Sequence, residues 1–186
     1  SKLVSVLMPI KNEEKYILEA VDSVLKQSYS NIEIIIVNDG SDDNTLEIVN
    51  SICDQRVTII NTRGVGKNNA YNLAYESANG DFICGFSGDD IMPKDSIENR
   101  VSAFKATPNI AQVVLSKLKM FSEYKKYNDI IIPRKNEGGY SGGTMMFSKK
   151  TTDLIFPLPT YLANEDMWMT LIVKNFDVII HHLPKV

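Results

Sequence analysis

Short apolar runs alternate with segments of helical periodicity through the first half of the chain. The runs at residues 3–8, 32–37, 57–60 and 81–86 are each followed by polar residues and then by apolar residues at helical spacing. Strands that are apolar throughout and alternate with helices are typical of a parallel sheet covered on both faces. The sequence therefore predicts an α/β fold with helices on both faces of a mainly parallel sheet.

The helices of the first half are predicted from the same spacing. They cover residues 13–27, residues 43–53 and a stretch around residues 70–78. Asn12 is predicted to cap the first helix, and acidic residues follow in its first turn, where the helix dipole favours them.

The second half is less regular than the first. Helices are predicted over residues 96–106 and 165–175, an extended strand over 112–121, a long polar loop over 122–140, and short strands over 143–147 and 177–181. A parallel half followed by a mixed half predicts one α/β domain, residues 1–186, with an open sheet that is mixed toward its C-terminal side.

Composition excludes several classes of function. The formal net charge of -3, from 20 basic and 23 acidic side chains, argues against nucleic-acid binding, which needs a basic surface. No apolar run approaches the roughly 20 residues of a membrane helix, so we expect no transmembrane segment, although a peripheral membrane contact stays open. Cys53 and Cys84 form no CxxC pair and no secretory signal is visible, which predicts reduced thiols in a cytoplasmic protein.

Polar side chains follow the predicted strands. Asn12, Asp39, Lys67, Asp89 and Asp90 all fall in such segments. Ligands of open α/β sheets bind at the carboxyl ends of the strands, so the sequence predicts a binding site at that edge.

Two of these segments carry carboxylates suited to a ligand. Asp89 and Asp90 repel each other unless they are solvated, hydrogen-bonded or bound to a cation, and carboxylate oxygen is the preferred ligand of Mg²⁺ and Mn²⁺. A plain loop before the next helix is the alternative. Asp39 could accept a hydrogen bond from a base N–H or a ribose hydroxyl, or could form only an Asx turn.

Three further segments allow a functional or a structural interpretation. The stretch 64–69 is neither a Walker motif nor a full GxGxxG, but its glycines could present N–H groups to an anion, with Lys67 adding charge. Glu165 and Asp166 could supply a general base or merely favour a helix N-terminus. Gly142 and Gly143 could let the backbone approach a ligand closely, or form a turn.

Taken in order, the motifs resemble those of glycosyltransferase family 2. The likeness covers about residues 2–184. It rests on the first strand and loop (4–14), the SVLKQSY segment (23–29), the second strand and loop (33–43), Gly80-Asp81-Phe82 with Asp89-Asp90, and Glu165-Asp166.

The resemblance implies a GT-A fold with a nucleotide-binding half, about residues 1–92, and an acceptor-binding half, about residues 93–186. It also implies a metal-dependent, inverting transfer of a sugar from a nucleotide diphosphate, expected to be UDP, to a hydroxyl of a saccharide or lipid-linked acceptor, in cell-surface polysaccharide or glycolipid synthesis. Mg²⁺ or Mn²⁺ is the expected cofactor. A non-catalytic nucleotide-sugar-binding or assembly module is the alternative.

The resemblance also implies roles for single residues. Asp166 would be the catalytic base and Asp90 the metal ligand. The expected nucleotide-sugar-binding residues are Pro9, Asn12, Glu13, Asp39, Lys67, Asp89, Gly142, Gly143 and Glu165. Two positions depart from the family pattern: Tyr71 stands where the family usually has arginine, and Ser87 stands where it often has aspartate.

Overall fold

The computed structural model describes residues 1–107, 109–121 and 128–186. The described part of the chain contains nine strands, six α-helices and a 3₁₀ helix at Gly142–Thr144. In chain order the elements are β1 (Val4–Ile10), α1 (Ile17–Leu25), β2 (Ile32–Asp39), α2 (Thr45–Asn50), β3 (Val57–Thr62), α3 (Lys67–Glu76), β4 (Phe82–Gly85), α4 (Ser96–Ala103), β5 (Gln112–Leu115), β6 (Leu118–Lys119), β7 (Ile131–Ile132), β8 (Met145–Ser148), α5 (Lys149–Ile155), α6 (Glu165–Asn175) and β9 (Ile179–His182).

Seven strands form one sheet in the order β3-β2-β1-β4-β8-β5-β9. β1 pairs in parallel with β2 and β4, β2 pairs in parallel with β3, and β5 pairs in parallel with β9. β8 is antiparallel to both of its neighbours, β4 and β5. The sheet is therefore mainly parallel and becomes mixed in its C-terminal half, as the sequence predicts.

The reversed direction of β8 determines what reaches the carboxyl edge of the sheet. Because β8 begins at the edge where β4 ends, the glycine pair that precedes β8 lies beside the segment that follows β4. The loops after β1 and β2 reach the same edge.

Two apolar layers hold the helices on opposite faces of the sheet. One layer joins alternate residues of β1 and β2, such as Val6 and Ile34, to α1, α2 and α4. The other joins residues such as Leu7 and Ile35 to α3, α5 and α6. Side chains alternate between the faces of a strand, so a strand that is apolar throughout serves both layers.

The predicted cap of the first helix is wrong. α1 begins at Ile17, and its N-cap residue, Tyr16, makes no side-chain capping bond. Asn12 has a positive φ of 56°, and its side-chain oxygen accepts a hydrogen bond from the Asp42 N–H at 2.8 Å. The Glu13 N–H donates to Thr45 Oγ1 at 2.7 Å, so residues 12–14 bind the α2 segment before the helix starts.

The second half also differs from its prediction in three places. The strand predicted over residues 112–121 is interrupted and forms β5 and β6. The α5 helix follows β8 directly and was not predicted. Residues 122–127 of the predicted loop lie outside the described residues, and the part of the loop that is described contains β7. In the described residues, no helix is long and apolar enough to cross a bilayer.

Candidate active site

The carboxylate of Asp39, at the end of β2, is bound by the end of β3 and the loop that follows it. Its Oδ1 accepts hydrogen bonds from Thr62 Oγ1 and the Val65 N–H, both at 2.6 Å, and its Oδ2 accepts one from the Gly66 N–H at 2.9 Å. Burial raises the pKa of Asp39, but these hydrogen bonds and Lys11 together lower it below its usual value. The glycine-rich stretch therefore presents its N–H groups to an internal carboxylate.

A close approach of two loops requires glycine beside this carboxylate. Gly40 has a positive φ of 67°, and a Cβ there would lie 2.8 Å from the Gly64 nitrogen. The loop after β2 and the loop after β3 are consequently packed backbone against backbone.

A cleft of about 570 Å³ opens at this edge of the sheet. Its walls come from the loops after β1, β2, β3 and β4, and they include five of the predicted site residues: Pro9, Glu13, Asp39, Lys67 and Asp89. Lys11 also lines the cleft. It was not predicted to belong to the site, although it directly precedes the predicted site residue Asn12 in the sequence. A cavity of this size is in the usual range for a small-molecule ligand.

Three carboxylates crowd together at the next part of the edge. Burial and then the charges of Asp89, Asp43 and Asp90 raise the pKa of Glu13. Burial and then Asp89 raise the pKa of Asp90, while a hydrogen bond from Ser87 lowers it. Mutual repulsion of this kind is relieved when a cation binds.

This donor set suits a divalent metal that binds together with a substrate phosphate. Mg²⁺ is commonly held by one or two carboxylates plus phosphate oxygens rather than by an all-protein cage. Among the described residues there is no group of three or more His, Cys, Asp or Glu side chains arranged to hold a metal ion alone. Asp90, with Asp89 and Glu13 beside it, fits the former arrangement.

The N-terminus of α6 carries the second acidic pair. Asn164 caps the helix, since its side-chain oxygen accepts from the Asp166 N–H at 2.8 Å. Glu165 is 4% exposed, and Lys67 Nζ lies 2.5 Å from its Oε1. This ion pair joins α6 to the N-terminus of α3, so the predicted residues Lys67 and Glu165 lie together.

Asp166 has the environment expected of a proton acceptor. Burial and then the Glu165 charge raise its pKa, while the Gly142 N–H and Lys67 lower it. Among the described residues, no group donates to its buried Oδ1 in hydrogen-bonding geometry, although the Gly142 N–H is near enough to affect the pKa. A raised carboxyl pKa brings a base closer to the pH at which it works.

The glycine pair connects the two acidic groups. A Cβ on Gly142 would lie 2.9 Å from Asp166 Oδ1, and a Cβ on Gly143 would lie 3.8 Å from Asp90 Oδ2. The backbone here passes directly between the two carboxylates. Asp90 and Asp166, 76 positions apart in the sequence, therefore face one short segment of the same edge.

Tyr71, where the family usually has arginine, lies behind this segment. It is buried, and burial followed by the charges of Glu165 and Asp166 raises the pKa of its hydroxyl. A Cβ on Gly142 would lie 3.9 Å from that hydroxyl. A neutral tyrosine ring therefore lies near Glu165 and Asp166 at the position where the family usually has a positively charged arginine.

The Glycosyl transferase family 2 profile matches residues 5–163. The chain belongs to this family. The resemblance seen in the motifs is thereby confirmed.

Two curated glycosyltransferases match about half of this chain. This chain is 42% identical over 101 residues to glycosyltransferase GlyG of Streptococcus pneumoniae. The aligned region covers 53% of this chain and 34% of GlyG. The chain is 39% identical over 103 residues to an uncharacterized glycosyltransferase of Haemophilus influenzae, and the aligned region covers 54% of this chain and 41% of that relative. The matched region thus spans less than half of these relatives' length.

Solved structures share the fold over nearly the whole chain. Staphylococcus aureus TarS 1–349 in complex with UDP-GlcNAc has a TM-score of 0.76 at 21% identity, covering 98% of this chain and 56% of that one. The mannosyltransferase PcManGT of Pyrobaculum calidifontis has a TM-score of 0.72 at 22% identity, covering 95% and 54%. These likenesses confirm the GT-A-type α/β fold.

The hydrogen bonds of Asp39 lead to a prediction about stability. Asp39→Asn should lower the free energy of unfolding at pH 7 by about 1–3 kcal/mol, because an amide nitrogen cannot accept from the loop N–H groups. The folded pKa of Asp39 is lowered, so its contribution is present above the unfolded pKa and is lost as the pH falls through the folded pKa.

Urea unfolding at several pH values checks this prediction. The difference between wild type and Asp39→Asn should shrink between pH 7 and about pH 3. Asp153→Asn, on the exposed face of α5, is the matched control and should have little effect. Equal stability of Asp39→Asn and wild type at pH 7 would contradict this account of the loop.

Proposed function

We propose that this glycosyltransferase moves a sugar from a nucleotide diphosphate to an acceptor hydroxyl with inversion at the anomeric carbon. The observation that carries the proposal is the arrangement at the carboxyl edge. The cleft beside Asp39, the carboxylate of Asp90 and the carboxylate of Asp166 follow one another around the Gly142-Gly143 segment. Donor, leaving group and base would each have a place there.

The nucleotide is proposed to occupy the 570 Å³ cleft. Within the described part of the chain, Oδ2 of Asp39 accepts one hydrogen bond, from the Gly66 N–H, so it can take another from the base. Asp89 would contact the ribose. The residues of this cleft come from the part of the chain before residue 92, which supports the proposed division into a nucleotide-binding half (1–92) and an acceptor-binding half (93–186).

UDP is the proposed nucleotide. Two TarS structures contain UDP or UDP-GlcNAc, and they share the fold with this chain. PcManGT binds GDP-Man with Mn²⁺, which supports a divalent metal as cofactor. Asp90 would hold Mg²⁺ or Mn²⁺, and the ion would supply positive charge to the leaving diphosphate.

Asp166 is proposed to remove the proton from the acceptor hydroxyl. Its raised pKa and its under-bonded Oδ1 make it the better proton acceptor of the acidic pair at α6. Glu165, by contrast, is bound to Lys67. Lys67 adds positive charge at the cleft where the diphosphate would leave, and Glu165 fixes its position.

The acceptor is proposed to be a saccharide or a lipid-linked saccharide of cell-surface polysaccharide or glycolipid synthesis. This part rests on the family resemblance alone. The cytoplasmic location indicated by the sequence stays a prediction.

Loss of the proposed metal ligand should weaken nucleotide binding. In the presence of Mn²⁺, Asp90→Ala should bind UDP about 10–100-fold more weakly than wild type, because the cation that neutralises the diphosphate is lost. Calorimetry with and without Mn²⁺ measures this. Asp153→Ala is the matched control. Unchanged metal-dependent binding by Asp90→Ala would exclude the proposed role.

Loss of the proposed base should separate binding from transfer. Asp166→Asn should bind UDP within a few-fold of wild type but lower the rate of UDP release from a UDP-sugar with acceptor by about 10²–10⁴-fold. In wild type, the acid side of the rate profile should follow a pKa above the ordinary aspartate value, since activity requires the ionised base.

A screen of nucleotide sugars for metal-dependent binding would identify the donor for this assay. Equal loss of binding and transfer in Asp166→Asn would mean that Asp166 is not the base. Nucleotide binding without turnover by wild type, with every acceptor and with water, would favour the non-catalytic module instead.

A further inference from the structure

A second cavity of about 540 Å³ adjoins the proposed catalytic residues. Asp90 and Gly143 belong to its wall, so it opens beside the point where the two carboxylates face the glycine pair. Its other described walls include Phe86, Met92 and Lys117. None of these three residues was predicted to belong to the site.

Arg100 of α4 forms part of this wall and is 4% exposed. Its Nη2 donates to the Gly143 carbonyl at 2.9 Å, which fixes the guanidinium behind the glycine pair. Among the described residues, its buried Nε and Nη1 have no hydrogen-bond partner, and no carboxylate forms an ion pair with it. Arg100 is thus a buried cation without a counter-charge in the described part of the chain.

Among the described residues, the other charged side chains of the wall form no ion pair with Arg100. Asp129 forms an ion pair with Lys119, whose Nζ lies 2.5 Å from Asp129 Oδ1. Asp90 is the proposed metal ligand, and Glu19 is an exposed residue of α1. Lys117 adds a further positive charge.

An uncompensated buried cation has a definite electrostatic effect. Arginine stays protonated in proteins even though burial lowers its pKa, as it does for Arg100. A charge removed from water is costly unless it is paired, and its positive field extends into the adjoining cavity. The cavity should therefore favour an anion.

We propose that this cavity binds an anionic group of the acceptor, a phosphate or a carboxylate, and that Arg100 selects it. The inference rests on the proposed function and specifies its acceptor class. The nucleotide has its own cleft on the other side of Asp89 and Asp90. An acceptor in the second cavity would meet the donor beside Asp90 and Gly143, one residue from Gly142, where a Cβ would lie 2.9 Å from Asp166 Oδ1.

Small anions test the proposal without knowledge of the full acceptor. Methyl phosphate and acetate would be titrated by calorimetry, with and without saturating UDP. Arg100→Gln removes the charge but keeps an amide that can donate to the Gly143 carbonyl, and Arg100→Lys keeps the charge. Lys150→Gln, at an exposed position of α5, is the matched control for the loss of one positive charge.

Wild type, Arg100→Lys and Lys150→Gln should bind the preferred anion within a few-fold of one another, and Arg100→Gln on the order of tenfold more weakly. Tighter methyl phosphate binding would indicate a phosphate-bearing acceptor, and tighter acetate binding a sugar acid. Equal binding by Arg100→Gln and wild type would overturn the proposal. Displacement of the anion by UDP would also overturn it, because the anion would then occupy the diphosphate position.

Two controls separate a loss of anion binding from a loss of folding and from a failure of the proposed function. The thermal midpoint of Arg100→Gln without anion should be no lower than that of wild type, because the variant removes an unpaired buried charge. If that variant does not fold, amide shifts in wild type decide: methyl phosphate should shift Gly143, and shifts confined to Gly66 and Lys67 would overturn the proposal. Failure of UDP to bind would remove the proposed function, while the titration without UDP would still test Arg100.

Discussion

The candidate site depends on one reversed strand. Because β8 runs antiparallel between β4 and β5, the Gly142-Gly143 segment in front of it reaches the edge where the parallel strands end. An ordinary side chain at Gly142 would press on the Asp166 carboxylate. The absence of side chains at this point therefore allows the acidic groups after β4 and at α6 to approach the same short backbone segment, although Asp90 lines the 540 Å³ cavity and Asp166 lines a separate one beside Tyr140.

The four carboxylates at this edge differ in how strongly other groups of the protein stabilise their negative charge. Asp39 and Glu165 are neutralised by groups of the protein itself, the first by N–H groups and a hydroxyl and the second by Lys67. Ser87 lowers the pKa of Asp90, and the Gly142 N–H and Lys67 lower that of Asp166, but burial and neighbouring carboxylates raise the pKa of each above its usual value. These two carboxylates are therefore the ones whose repulsion a bound cation or a proton would relieve.

Much of the fold follows from the sequence because the parallel strands are apolar on both faces. Those apolar runs located β1 to β4, and apolar residues at helical spacing located α6. The start of α1 could not be read from local capping rules, because Asn12 binds a residue of a distant loop in place of the helix N-terminus. The α5 helix was missed because it follows β8 without an intervening turn, so no break in the pattern marks its start.

The residues of the candidate site stay predictions from motif order, which named Asp39, Asp90 and Asp166. The glycines of residues 64–69 suggested an anion site, but the N–H groups of Val65 and Gly66 bind the Asp39 carboxylate. Arg100 was missed because a charged residue in a surface-like helix is normally exposed. Its position three residues after Ile97, on the buried stripe of α4, was the available signal.

Paramagnetic broadening by Mn²⁺ tests the central claim, that Asp90 and Asp166 face the same Gly142-Gly143 segment, most directly. With UDP bound, Mn²⁺ should broaden the amide signals of Asp90, Gly143 and Asp166 most strongly, and the signal of Lys150 on distant α5 least. Strong broadening at Asp90 with none at Gly143 or Asp166, or broadening centred on another surface, would contradict the account.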